Sequence, residues 1–327
     1  MRRRTLLSAL AGSTIARPSF SIAQPAGRPK RLGILLTTAD NDPPEVARIG
    51  VFLQALQTFG WTEGRNVEVV TRWSGGDPNR MKANAREVID WAPDVMLVRG
   101  PTMPYVRRLT TTVPIVFIAL TDALALQLYI STLQKPGGNI TGFASHDSEL
   151  IGKRLEILKE VAPNIANVLY LRNFQVDEER LSRLRESARA LRITLLDMAL
   201  DNMVDMKNAV EALAREPNSG LMPAFTAFVA THRTEIVALA ERYRLPAIYY
   251  DRTFPERGGL ISYGEDWVGP FRAAGSYVNR ILRGESPGDL PIQQPDSFDM
   301  AINLKTAKAL GLTIPASILA RADEVIE

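Results

Sequence analysis

The sequence contains no cysteine. That excludes a disulfide framework, a thiol nucleophile, a thiolate metal site and a lipid anchor on an N-terminal cysteine. Histidine is nearly as scarce. His146 and His232 are the two in 327 residues, far apart and in no zinc-type spacing, so no metal site is expected. His232 falls in the polar stretch Thr231–Glu235 of a predicted helix and reads as a solvated surface residue. A nucleophile elbow of the G-x-S-x-G type, a phosphate-binding P-loop and a dinucleotide G-x-G-x-x-G are all missing. No cofactor is expected, and no catalytic residue set presents itself. After the first residues, no stretch reaches the roughly 18 continuous apolar residues that a membrane span requires.

A basic excess is also missing once the N-terminus is set aside. The formal charge of the chain is +3, yet residues 1–23 hold Arg2, Arg3, Arg4 and Arg17 and no acid. The remainder therefore carries 35 basic against 36 acidic residues, a net charge of −1. Nucleic-acid binding leaves a basic patch on the folded domain, and no such run follows residue 31, so no nucleic-acid partner is expected.

Residues 1–23 read as an export signal. Arg2–Arg4 form the positive region, Leu6, Leu7, Ala9, Leu10 and Ala11 begin a short apolar stretch, and Ser21-Ile22-Ala23 offers a cleavage site. Arg3-Arg4-Thr5-Leu6-Leu7 also resembles a twin-arginine signal, so the secretory and twin-arginine routes both stay open. With neither anchor nor span, the mature protein is expected to be soluble in the periplasm.

From Arg31 onward strands and helices alternate. Leu32–Leu36 is a buried apolar strand. Asp42-Pro43 gives a cap and a first helical residue, and Val46, Ile49, Leu53 and Leu56 form one face before Gly60 stops the helix. Asn66–Trp73 is a strand. Asp77-Pro78 repeats the cap signal before the stripe Met81, Ala85, Val88 and Ala92, and Asp94–Val98 and Pro114–Ile118 are further strands. A second round runs through Val168–Leu171, Ile193–Met198, Gly220–Pro223 and Pro246–Tyr250, with one long helix carrying Ile236, Leu239 and Tyr243. Gly258–Gly264 and Phe298–Leu304 are strands near the C-terminus, and Lys135–Asn139 is a turn-rich break between the rounds. Strands separated by helices of this length require right-handed crossovers and parallel sheets. Length alone gives a default of two domains, at roughly 150 residues each.

In such sheets ligands lie beyond the carboxyl ends of the strands, where helix N-termini present free N–H groups. The loops in that position are 37–41, 99–103, 119–122, 172–174 and 224–226, rich in Thr, Gly, Asn and Phe. This lining suits hydrogen bonding to a polar group and apolar contact with its body. Asp40 and Asp42 have two readings, a pair of catalytic carboxylates or a helix-capping acid with a solvated neighbour; the cap-and-proline signal matches the second. Asn139-Ile140-Thr141 matches the glycosylation sequon, against which the bacterial-looking leader speaks.

Several segments resemble a known family. They are Thr112–Phe117, Lys135–Gly142, Gly152–Glu160, Gly258–Gly264 and Ile302–Pro315, in order over residues 31–327. The chain is similar to ABC-transporter substrate-binding proteins with the type I periplasmic-binding fold, in the subgroup that includes tryptophan- and tyrosine-binding members. The resemblance implies an α/β protein of two Rossmann-like lobes with parallel sheets, joined by three hinge crossings. One lobe would comprise residues 31–120 with about 262–285, the other about 121–261 with 286–327. It implies a monomer that closes on a small molecule and docks on a membrane permease. Matching positions place Thr37, Thr38, Gly100, Pro101, Thr102, Thr121 and Asp122 in the first lobe's wall of the cleft, with Asn173, Phe225 and Tyr263 opposite or at the hinge.

Two departures bear on the ligand. The family's Asp-Pro-Val and Gly-Leu-Val after the fourth strand are here Asp122-Ala123-Leu124 and Gln127-Leu128-Tyr129. Arg99 stands where small residues are common, and three roles are open to it: pairing with a ligand carboxylate, a lobe-surface cation, or a salt bridge across the cleft. The expected function is capture of a small, amino-acid-like or carboxylate ligand for an importer, without chemistry. The alternatives are a soluble periplasmic sensor that presents its ligand to a membrane receptor, and a hydrolase using Asp40, Asp42 or Asp122.

Overall fold

A computed structural model describes residues 28–120, 129–172, 178–200 and 202–327; the expected leader lies outside them. The first sheet has the order β2-β1-β3-β4-β5, with every neighbouring pair parallel. Its strands are β1 (Lys30–Leu36), β2 (Val67–Trp73), β3 (Val95–Arg99), β4 (Ile115–Leu120) and β5 (Ile140–Ala144). Between them run α1 (Pro43–Thr58), α2 (Pro78–Asp90) and α3 (Met103–Arg107).

Because side chains alternate across a sheet, each strand feeds two cores. Leu32, Ile34, Leu36, Val95, Leu97, Val116 and Ile118 share one with Ile49 and Phe52 of α1. Leu35, Met96, Val98, Ile115 and Phe117 share the other with Ala85 and Val88 of α2. The inner face of α1 is Glu45, Arg48, Ile49, Phe52 and Leu56, whereas Val46, expected on that face, is 46% exposed. The helix is rotated from the purely apolar phase because Glu45 and Arg48 have partners inside the protein.

The second lobe contains α4 (Asp147–Val161), β6 (Asn167–Arg172), α5 (Glu178–Ala190), β7 (Thr194–Ala199), α6 (Met203–Leu213) and β8 (Ser219–Pro223). The long helix expected next is broken at His232 into α7 (Ala227–Thr231) and α8 (Arg233–Arg242). A three-stranded sheet, β7-β6-β8, meets a four-stranded one through a bridge between Leu221 and Ala247. The four strands are β9 (Ile248–Tyr249), β10 (Ile261–Glu265), β11 (Phe298–Asn303) and β12 (Glu324–Ile326). Both sheets are parallel apart from the antiparallel pair β10–β11.

Three connections join the lobes. The first follows Ala144 and the second follows Glu265, leading into α9 (Gly269–Leu282), whose Phe271, Ala274 and Val278 enter the α1 core. The third leaves Gln293 for β11; Gln293 N donates to Gly142 O at 3.0 Å, so the chain stays with the first lobe up to that point. Pairing of β5 with β4 therefore carries the first sheet past the limit near residue 120 expected from the sequence. Likewise β10 belongs to the second lobe's sheet, and the chain returns to the first lobe only after Glu265 rather than near residue 262. Among the described residues no helix is long and apolar enough to cross a membrane.

Candidate functional site

The carboxyl ends of the two lobes' strands face each other along one seam. On the first lobe, Gly75 N donates to Thr38 O at 2.9 Å and Gly76 N to Thr37 O at 2.6 Å, stitching the loops after β1 and β2 together. Both threonines are buried, and the Thr38 hydroxyl has no hydrogen-bond partner. On the next strand, Gly100 approaches β4 so closely that a β-carbon there would lie 2.2 Å from Ala119 O, which fixes glycine at this turn. Ala119 itself has φ of 59°, a strained conformation for a side-chain-bearing residue. Thr102 is fully buried with an unpartnered hydroxyl, while Pro101 is exposed.

Arg99 ends β3 with the same parity as Val95 and Leu97, so its side chain enters the α1 core. There its Nε lies 3.1 Å from Glu45 Oε1 of α1, an ion pair within the first lobe. The contact lacks hydrogen-bond alignment, and Nε and Nη1 have no hydrogen-bond partner. Around the guanidinium stand Trp267 and Phe271 at 5.6 Å and Phe225, from the second lobe, at 6.0 Å. Phe225 stacks on Trp267 at 4.5 Å and meets Tyr250 edge-on at 5.0 Å. Burial lowers the Arg99 pKa, an effect partly offset by Glu45.

Two ion pairs cross the seam. Arg48 of α1 donates to Asp251, just after β9, at 2.6 Å and to Glu45 at 3.1 Å. Asp42 pairs with Arg233 of α8 through both guanidinium nitrogens. Asp42 was expected to cap α1; its side chain makes no cap hydrogen bond, and it serves this partner 191 residues away instead. Asp77, with the same sequence signal, does cap α2 through Asn79 N and Arg80 N. Burial pushes the Asp251 carboxyl up, but the Arg48 charge, hydrogen bonds from Thr253 and the Arg233 charge together outweigh it, and the net shift is downward. Three carboxylates and three guanidiniums thus neutralise one another in the seam, all 9% exposed or less.

The hinge has its own polar cluster. Glu265 accepts from Ser145 Oγ at 3.0 Å and from His146 N, tying two crossings together. Burial, with help from the nearby Asp147 charge, raises its carboxyl to about 7. Asp147 is held by Arg154 at 2.5 Å, whose Nε donates to Tyr263 O at 2.7 Å.

The sequence-derived residues are thus distributed unevenly. Thr37, Thr38, Arg99, Gly100, Thr102 and Phe225 lie at the seam. Tyr263 lies in the hinge strand, packed against the core of Ile261 and Met300, its ring 6.2 Å from that of Phe298. Thr121, Asp122 and Asn173 fall outside the described residues. Sequence reasoning missed Glu45, Arg48, Arg233, Tyr250, Asp251 and Trp267. Two of these were signalled: Tyr250 and Asp251 follow a strand at its carboxyl end, where ligands and partners collect. Among the described residues no cluster of His, Asp or Glu has the makings of a metal site.

Known proteins share this architecture. A structure from Vibrio cholerae O1 biovar El Tor, called a conserved domain protein, matches with a TM-score of 0.81 and 27% identity over 91% of this chain and all of that one. An ABC domain in complex with L-Trp from Streptococcus pneumonia matches with a TM-score of 0.78 and 21% identity, at the same coverage. A tyrosine-binding protein of Clostridioides difficile strain R20291 is 24% identical over 264 residues, which is 80% of this chain and 75% of that protein. The family described as ABC transporter substrate binding protein matches residues 41–326, and the chain belongs to that family.

Proposed function

We propose that the protein is the exported, periplasmic binding component of an ABC importer, capturing one small ligand between its lobes and delivering it to the permease as a monomer. The observation that carries this reading is a set of buried polar atoms without partners on adjacent strands. The hydroxyls of Thr38 and Thr102 and Nη1 of Arg99 lie at the carboxyl ends of β1 and β3, with Phe225 of the other lobe against Arg99. Buried polar groups are normally hydrogen-bonded, and an unpartnered one costs about 1–3 kcal/mol. A ligand that supplies those partners recovers this cost, and an aromatic wall takes its apolar body.

The chemistry favours an amino-acid-like or carboxylate ligand, because a guanidinium edge and two hydroxyls match a carboxylate. The names of two similar proteins, one tyrosine-binding and one holding L-Trp, support the same class. In this reading Thr37, Thr38, Gly100, Thr102 and Phe225 form the cleft wall and Tyr263 the hinge. Arg99 presents its free edge to the ligand while Glu45 holds its position.

A thermal-shift screen of amino acids, aromatic acids and small carboxylates tests the proposal, because a ligand that binds only the folded state raises Tm by mass action. Calorimetry of each hit is expected to give one ligand per chain, recovered unchanged. Consumption of the ligand, or no shift across the whole panel, would overturn it. Uptake into vesicles bearing the cognate permease and ATPase separates import from presentation to a receptor.

A further inference from the structure

Strand β7 is the outer strand of the second lobe's three-stranded sheet, and among the described residues it pairs with β6 alone. Thr194 N and Leu200 N donate inward, to Ala166 O and Arg172 O. By the alternation of a parallel ladder, the N–H and C=O groups of Leu195, Asp197 and Ala199 point out to the free edge. Leu196 and Met198 are in register with Leu169 and Leu171, which enter the core under α6, yet they are 37% and 41% exposed. They floor a groove of about 940 Å³ between β7 and α6. Helix α6 turns one stripe toward it: Asp205, Ala209, Ala212 and, just past the helix end, Glu216. The stripe is small at its centre and acidic at both ends, which the helical rise spaces by about 16 Å. Asp205 accepts from the neutral Asn202 at 2.9 Å, and neither acid has a cationic partner among the described residues.

The outer strand of the first lobe is guarded differently. There β2 carries Glu68, 3.5 Å from Arg31, and Arg72, whose Nε donates to Glu87 at 3.0 Å. Charges along an edge keep it from pairing with another chain. On β7 the one charged residue is Asp197, and Arg172 neutralises it at 2.6 Å. We propose that β7 and its groove are a docking site for one extended segment of another polypeptide, added to the sheet as a further strand. The segment carries apolar side chains at every second position and a lysine or arginine at each end. Its backbone pairs with the free edge, its apolar side chains cover Leu196 and Met198 beside Ala209 and Ala212, and its cations meet Asp205 and Glu216. About five extended residues span 16 Å, so the two acids set its length.

Isothermal titration of the mature protein with the acetylated, amidated heptapeptide KTVTVTK tests the site, since its lysines and valines share one face. One peptide per chain is expected, with ETVTVTE about tenfold weaker because two ion pairs become two repulsions. Backbone pairing is read separately, from KTVTVTK N-methylated at its threonines in one version and at its valines in another. Alternate N–H groups face the edge, so one version is expected to bind at least about tenfold more weakly and the other nearly unchanged. Met198→Lys, which puts a like charge on the edge, is expected to weaken KTVTVTK at least about tenfold. Ala212→Trp, at an exposed helix position, blocks the groove and serves if that variant does not fold. No binding of KTVTVTK, equal binding of ETVTVTE, equal effects of the two N-methylations, or retained affinity in the variants would each overturn the proposal. So would sedimentation showing a dimer that the peptide dissociates, because a second copy would then cover β7.

Discussion

Arg48 of the first lobe donates to Asp251 of the second at 2.6 Å while its other terminal nitrogen holds Glu45 at 3.1 Å. One guanidinium thus joins the helix that follows β1 to the loop that follows β9. With the Asp42–Arg233 pair it pins the N-terminal half of α1 against the second lobe. Opening the lobes breaks both contacts and hydrates the freed charges, so the pairs bias closure. Their worth falls as salt screens them more effectively in the open form.

Truncating Arg48 removes one partner from a buried set. Arg48→Met leaves Asp251 without its cation and Glu45 with Arg99 alone, and the expected loss in stability is about 3–5 kcal/mol. Arg48→Met combined with Asp251→Asn is expected to be more stable than the single variant, since the uncompensated charge is gone. Urea unfolding of the wild type and both single and double variants measures this, and a double variant less stable than Arg48→Met would refute the pairing.

The two Asp-Pro signals give a paired comparison. Asp77→Ala removes a helix cap and is expected to cost about 1 kcal/mol. Asp42→Ala removes no cap hydrogen bond but leaves Arg233 buried without its carboxylate, so a larger loss is expected, about 3–5 kcal/mol if the lobes stay shut. If the lobes part instead, the cost falls and the radius of gyration in small-angle scattering rises without ligand. Equal losses in the two variants, with no change in radius, would show that Asp42 acts as a cap after all.

Most strand positions and the parallel pairing of the first sheet were legible from alternation, whereas β5, β12 and the antiparallel β10–β11 pair were not. Nor was the partner of Arg99: three roles were open to it, and the structure gives instead a buried ion pair with Glu45 inside its own lobe. The phase of α1 was not legible either. A pattern of apolar residues places Val46 inside, whereas ion pairs made far along the chain turn Glu45 and Arg48 inward. Asp42 was misassigned for the same reason: a cap is a local motif, and Arg233 is not local. The first sheet also continues past residue 120, since β5, which follows the turn-rich stretch before Ile140, pairs with β4.

Glu265 gives the hinge a pH dependence of definite sign. Its folded carboxyl, raised to about 7, lies above the ordinary glutamate value, so the folded state binds the proton more tightly than the unfolded chain. Stability from this group is therefore gained as pH falls from about 8 through 7 and is fully present below the unfolded value, near 4.3. Glu265→Gln keeps an acceptor for Ser145 and His146 but does not titrate. The difference in Tm between wild type and this variant is expected to change across that window and to be flat above it. A difference independent of pH would rule out titration at this position.

Thr102 separates a binding role from a packing role, because the two predict opposite signs. Its hydroxyl is buried and unpartnered, so Thr102→Val removes a polar atom that costs stability while keeping the side chain's shape. Without ligand the variant is expected to be as stable as the wild type or more so, by up to about 1–3 kcal/mol. Toward a cleft ligand found by thermal shift, the same variant is expected to lose about 0.5–1.5 kcal/mol, or 1.5–3 kcal/mol if the hydroxyl meets a charged group. Unfolding curves and titration calorimetry on one preparation give both numbers. A variant that is destabilised, with its affinity intact, would place Thr102 in the packing of the β3 turn and leave the ligand's polar group to Thr38 and Arg99.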